Sequence, residues 1–182
     1  PEDAAICDAG AGPGGDVPAL RQAAPGAHVT TFDVTESFVA QMRARFAGDP
    51  AVMVLQADMA DIADLPRAPF DMIWCAGALY FLGLDHGLET MRGALKPGGV
   101  LAFSEPCFFV DSPGPEAQRF WEGYPTRDAG GIAAAVSAAG FDILGTHKLS
   151  DAGWEAYFRP METRIAQLRP GADDRLRAML DL

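Results

Sequence analysis

Short apolar runs bounded by Gly, Pro or Asp alternate with helix-period stretches through the first two thirds of the chain. Ala4–Cys7, Val29–Phe32, Val52–Gln56, Phe70–Cys75 and Val100–Ser104 are each too short for a buried helix and rich in β-branched, aromatic and aliphatic residues, so they predict strands. Between them, the segments near Val17–Ala24, Glu36–Phe46 and Leu84–Leu95 carry helical periodicity, and Pro18 falls in the first turn of its helix, where a missing N–H costs little. This βαβα order predicts an α/β protein of three α/β/α layers. A mostly parallel, doubly wound sheet would offer its ligand site at the carboxyl ends of the strands. After Glu105 the pattern loosens. Asp111-Ser112-Pro113-Gly114-Pro115 reads as a loop, and a helix near Gly131–Ala139 stops at Gly140. Phe141–Lys148 then reads as a sixth strand, and a helical run Trp154–Leu168 is broken at Pro160 before Arg169-Pro170-Gly171 and a last helix near Asp173–Leu182. The length fits one domain over 1–182, with 111–128 and 149–182 as cap or substrate-side segments.

The chemistry concentrates where the first strand ends, in Asp8-Ala9-Gly10-Ala11-Gly12-Pro13-Gly14-Gly15. A glycine-rich turn between a buried strand and a helix brings backbone N–H groups close to a polar ligand. These glycines fit two cofactors: Gly10, Gly12 and Gly15 match the dinucleotide fingerprint G-x-G-x-x-G, while Asp8 with Gly10, Gly12 and Gly14 matches the D-x-G-x-G-x-G loop that holds S-adenosylmethionine (SAM). The later strands separate them. Asp33 closes the second strand, where a carboxylate accepts from both ribose hydroxyls of either cofactor. Asp58, at the mouth of the third strand in Gln56-Ala57-Asp58-Met59, is placed to accept from an adenine amino group, and Leu95-Lys96-Pro97-Gly98-Gly99 leads the third helix into the fifth strand. A dinucleotide site gives Asp58 and that turn no role.

In this order the motifs resemble those of the class I SAM-dependent methyltransferases, over roughly Ala4 to Glu105. The resemblance implies that Gly10, Gly12 and Gly14 cradle the methionine part of SAM, and that Asp8 bonds near its amino acid end, directly or through water. It also implies that Asp33 holds the ribose, that Val34 packs on the adenine, and that Asp58 with the Met59 N–H reads the adenine edge. The reaction implied is methyl transfer to an O, N, S or C nucleophile of a small molecule, leaving S-adenosylhomocysteine (SAH), with no metal. Family acceptor sites lie over the ends of strands four and five, here Ala76–Phe81 and Ser104-Glu105-Pro106. There Tyr80 is placed to orient an acceptor, and Glu105 to accept its proton or pair with an amine. The Asn-Pro-Pro-Tyr motif of adenine-type DNA methyltransferases is absent from the first of these.

Each piece also has an architectural reading. Glycines serve any turn that needs φ > 0, Asp33 precedes Thr35 and Ser37 and so suits a helix N-cap, and Asp58 suits a solvated loop. Tyr80 suits an aromatic packed under a loop, Glu105 a structural carboxylate, and the Lys-Pro-Gly-Gly turn a helix stop. Trp154, Tyr157, Phe158 and Met161 share one helix face, as core or as a lid over an apolar acceptor, and Phe120, Trp121 and Tyr124 carry the same ambiguity. An NAD(P)-dependent oxidoreductase and a non-catalytic SAM-binding protein remain alternatives.

Charge and composition narrow the partners. A formal net charge of −11 opposes a nucleic-acid substrate, and the pairs Arg43/Arg45 and Arg175/Arg177 sit among acids as solvated helix faces. Cys7, Cys75 and Cys107 are odd in number and set in apolar runs, which predicts buried free thiols, and His28, His86 and His147 show no ligand spacing. With no apolar run long enough to span a bilayer and no signal segment, the sequence suggests a soluble cytoplasmic protein that engages no membrane. The acceptor's identity and the oligomeric state are not written in these motifs. The family normally has a helical segment before the first strand and a seventh, antiparallel strand; neither is evident here, which predicts a natural protein extending past both ends, with a natural minimal variant lacking the last strand as the alternative. On that view a strand added beyond Leu182 would pair with Phe141–Lys148 and stabilise the chain.

Overall fold

A computed structural model describes residues 3–110 and 112–181, and divides into one compact unit up to Ile143 and a second from Leu144 onward. In the first unit β1 (Ala5–Ala9), α1 (Val17–Ala23), β2 (His28–Asp33), α2 (Glu36–Phe46), β3 (Val52–Gln56), β4 (Phe70–Cys75), α3 (Leu84–Gly93) and β5 (Leu95–Phe103) follow one another as the alternating pattern predicts. All the strand pairs are parallel, in the order β3-β2-β1-β4-β5. β1 is buried along its whole length because helices cover both faces of the sheet, which is why its sequence is an unbroken apolar run up to Asp8. Phe32, Ile73, Leu79, Leu88 and Met91 fill one side of the sheet, and Ile6, Val17, Leu20 and Val29 fill the other. The strand order reverses between β1 and β4. A doubly wound sheet opens a crevice for ligands at that point, so the glycine turn leaving β1 lies at its mouth.

The opposite, amino ends of the strands are fastened by one carboxylate. Asp71 Oδ2 accepts from the Ala5 N–H at 2.7 Å and from Lys96 Nζ at 2.8 Å, joining β1, β4 and β5. These bonds hold the Asp71 carboxyl below the usual carboxylate range, the Lys96 bond first.

Three expectations are corrected. Lys96-Pro97-Gly98-Gly99 does not precede the fifth strand but lies inside it: Leu95 already pairs with Phe70, and the register shifts between Phe70 and Met72. Gly98 takes φ +77°, and a Cβ on Gly99 would meet Lys96 O at 2.9 Å, so the glycines serve an irregularity within β5. Phe141–Lys148 is not a strand. Gly140, at φ +82°, ends α5 (Ala129–Ala138), with its N–H on Ser137 O and the Phe141 N–H on Val136 O, and no ladder follows. Ile143 and Leu144 are neighbours, 43% and 82% exposed, so the segment has no single apolar face to lay on the sheet. The pairing that does form is a short parallel one, β6 (Cys107–Phe108) with β7 (Arg127–Asp128), on either side of α4 (Pro115–Phe120). Of the loop expected over 111–115, Asp111 lies outside the described residues.

In the second unit, α6 (Asp151–Leu168) starts where Ser150 Oγ accepts the Gly153 N–H, and it runs through Pro160 without interruption, the third correction. Proline's fixed φ suits a helix; it removes one N–H donor, not the helical path. Asp173 caps α7 (Asp174–Leu180) by accepting from the Leu176 N–H at 2.8 Å, and the last helix position expected, Leu182, lies outside the described residues. Arg169 reaches Asp181 Oδ1 at 2.5 Å and Leu180 O at 2.9 Å. Trp154 and Phe158 stack along α6, while Trp154, Tyr157, Phe158 and Met161 all keep substantial exposure. Among the described residues no helix is long and apolar enough to cross a membrane.

Candidate functional site

The three spaced glycines of the turn differ in what replaces their missing side chains. Gly10, at φ +66°, abuts the loop after β4, where a Cβ would stand 2.5 Å from Ala78 Cβ. Gly14, at φ +77°, is closed off by Phe46 and Met42 of α2, at 2.8 and 2.9 Å. Gly12, at φ +56°, faces open space with nothing within 4 Å. Two glycines are thus required by the protein's own packing, whereas at the third the protein leaves room for a side chain, so packing does not account for it.

Asp33 builds that turn. Its Oδ2 accepts the Gly12 N–H at 2.9 Å and its Oδ1 accepts the Thr35 N–H at 2.8 Å, while Phe32 O accepts the Ala11 N–H. Thr35, not Asp33, is the N-cap of α2. Each carboxylate oxygen retains a second lone pair for hydroxyl donors. A second latch was missed: Arg45, read as a solvated helix face, donates through Nη1 to Gly14 O at 3.0 Å and lies over the Phe46 ring. Nothing in local spacing ties residue 45 to residue 14.

On the neighbouring strand ends, Asp58 Oδ1 accepts the Ala60 N–H at 2.9 Å and caps the 3-10 turn Met59–Asp64. Met59 turns inward beneath the glycines, its Sδ 3.9 Å from Cys75 Sγ and 3.4 Å from where a Cβ on Gly10 would stand. Val34 is 65% exposed, a sizeable apolar side chain left in water just past Asp33.

Asp8 is buried, and Thr31 Oγ1 donates to its Oδ2 at 3.2 Å. Desolvation, followed by the charge of Asp16, pushes its carboxyl from 3.8 up to about 7. Folding therefore favours the protonated form. The stability this contributes is fully present below the ordinary carboxyl value and is lost as pH rises through about 7. At ~1.4 kcal/mol per unit the loss is on the order of a few kcal/mol. Asp8→Asn is accordingly expected to gain stability over the wild type between pH 5 and pH 8. Thermal unfolding of both proteins at the two pH values checks this: an unchanged difference in Tm would show that Asp8 is not buried as described.

At the ends of β4 and β5, the Gly77 N–H donates to Ser104 Oγ at 2.7 Å, tying the Tyr80 loop to the strand that leads to Glu105. Tyr124 donates its hydroxyl to Glu105 Oε1. The rings of Tyr80, Trp121 and Tyr124 surround one another with centroids 6.1, 6.2 and 6.1 Å apart. Burial raises the Glu105 carboxyl above its ordinary range against the opposing effects of Tyr124 and then Arg127, and Arg127 itself forms a two-pronged pair with Asp85. The structure thus brings Tyr80 and Glu105 into one aromatic cluster, and adds Trp121, Tyr124 and Arg127 to it. Cys7, Cys75 and Cys107 are free; burial lifts the Cys75 thiol to about 12, which leaves it unreactive at neutral pH.

Residues 6–99 match the family model described as a methyltransferase domain, a little over half of the chain. A trans-aconitate 2-methyltransferase of Paracidovorax citrulli (strain AAC00-1) is 31% identical over 169 residues, which is 88% of this chain and 64% of that one. A demethylmenaquinone methyltransferase of Clavibacter sepedonicus is 32% identical over 139 residues, 73% of this chain and 52% of that one. The chain thus spans less than two thirds of the length of these curated relatives. Among solved structures, a SAM-dependent methyltransferase from Geobacter sulfurreducens in complex with SAH superposes with a TM-score of 0.81 at 19% identity, covering 98% of this chain and 74% of that one.

Proposed function

The chain belongs to the class I SAM-dependent methyltransferase family, and from that premise we propose that it transfers a methyl group from SAM to a nucleophile of a small molecule. The observation that carries this reading is the Asp33 carboxylate, which fixes the Gly12 N–H at the point where the strand order reverses and keeps lone pairs for hydroxyl donors. In the proposed complex Gly10, Gly12 and Gly14 present backbone to the methionine part and Asp33 accepts from the ribose hydroxyls. The exposed Val34 covers the adenine, and Asp58, through the oxygen not used in its cap, reads the adenine edge with the Met59 N–H. Asp8 faces the amino acid end, where a cation would favour its ionised form.

SAM supplies the activated methyl group. The protein's contribution is orientation and exclusion of water. Tyr80 orients the acceptor, and Glu105, half-buried, receives its proton. The relatives' names point to small acceptors, and the charge of −11 with no basic tract agrees with that in excluding nucleic acid. Three free cysteines fit a reducing compartment, and we place the protein in the cytoplasm.

Incubation of the protein with methyl-labelled SAM and a fractionated metabolite extract tests the activity. Label is expected in small-molecule fractions, with SAH released in equal amount. SAH binding without transfer to any fraction would favour the non-catalytic reading instead.

A further inference from the structure

We propose that the acceptor of this site is an amine, held by an N–H donated to Glu105 Oε2 and by the faces of the Tyr80, Trp121 and Tyr124 rings. The proposal rests on the methyltransferase reading and concerns the acceptor alone.

The first observation is an acceptor atom without a donor. Glu105 Oε1 takes the Tyr124 hydroxyl, but Oε2 is buried with no hydrogen-bond partner among the described residues. Thr126 Oγ1, two residues beyond Tyr124, is buried and unpartnered in the same way. A buried carboxylate oxygen left without a donor from the protein is costly, so its donor comes from outside the chain, and a bound amine is one that fits. The second is the aromatic cluster beside it, which begins at Tyr124, the residue bonded to Oε1. Tyr80, Trp121 and Tyr124 pack against one another, two of the three pairs edge-on, and the ring faces left open attract a cation and repel an anion. The third is the fate of the nearby positive charge. Arg127 gives both of its Nη groups to Asp85 in a two-pronged pair, so it is already engaged and not free to clamp a substrate carboxylate in the same way. Like-charge repulsion in a partly desolvated site therefore disfavours a polycarboxylate.

The cluster adjoins the cofactor turn, because Ala78, at the start of the Tyr80 loop, is the residue that leaves no room for a side chain on Gly10. Phe120, 73% exposed, packs edge-on against Trp121 and extends the cluster. In the reaction Glu105 Oε2 first takes one proton from the bound ammonium; burial, by raising the carboxyl above its ordinary range, makes it a better base for this step. The lone pair so freed forms the N–C bond to the methyl carbon. The C–S electron pair leaves with sulfur, which becomes the neutral thioether of SAH, and the acceptor leaves as the methylated ammonium.

Phenethylamine and 3-phenylpropionate carry the same ring on similar chains with opposite charge, and propane-1,2,3-tricarboxylate stands for a polycarboxylate. Titration of each into the protein saturated with SAH is expected to show phenethylamine binding at least tenfold tighter than either anion. Glu105→Gln is expected to erase most of that ratio while SAH affinity stays the same. Equal or tighter binding of an anion by the wild-type protein overturns the proposal without reference to any variant. So does a Glu105→Gln protein that folds and keeps the full ratio. If SAH itself fails to bind, the methyltransferase reading fails first, and the two failures are told apart in the same experiment.

Discussion

Gly12→Val is expected to lower the affinity for SAM and SAH by at least 100-fold while leaving a folded protein. Of the three spaced glycines, Gly12 is the one at which an added Cβ would meet no other part of the protein within 4 Å, so the side chain reaches the ligand rather than the core. A β-branched residue at φ +56° also carries strain, on the order of 1–2 kcal/mol, which sets the size of the accompanying fall in stability. Gly14→Ala should behave in the opposite way. Its methyl group would run into Met42 and Phe46, so unfolding comes before any specific loss of binding. Calorimetric titration with SAH, paired with thermal unfolding, separates the two. Normal SAH affinity in Gly12→Val would place the cradle elsewhere.

Asp33→Ala is expected to weaken cofactor binding by ~1.5–3 kcal/mol, roughly 10- to 150-fold, the range for losing hydrogen bonds to a charged group. Two effects add. The ribose loses its acceptor, and the Gly12 and Thr35 N–H groups lose the carboxylate that now fixes the turn. Asp33→Asn, which keeps a carbonyl acceptor for Thr35 but offers an amide to one side, should fall between the two. An Asp33→Ala protein that unfolds at the usual temperature and binds SAH as the wild type does would remove Asp33 from the site.

The parts of this molecule that were legible in the sequence are those fixed by local pattern. Continuous apolar runs mark strands covered on both faces, and the turn after β1 announces itself because positive φ and close approach at Gly10 and Gly14 exclude side chains. Phe141–Lys148 differs because apolar content alone does not make a strand: Ile143 and Leu144 are both exposed, and among the described residues the segment forms no ladder. Pro160 misled for a different reason, since the cost of a missing donor was read as a stop. The Arg45 latch on Gly14, the Arg127–Asp85 pair and the Tyr124–Glu105 bond join residues far apart in sequence, and only the packing of the chain brings them together. Glu105 and Tyr80 were identifiable as strand-end polar groups; that they share one aromatic cluster was not.

A SAM site on the surface between Gly12 and Asp33 is open to isothermal titration of the wild-type protein with SAH, and in parallel with NAD. Saturable binding of one SAH per chain is expected, with no heat above dilution for NAD. Saturable binding of NAD with none of SAH would contradict it.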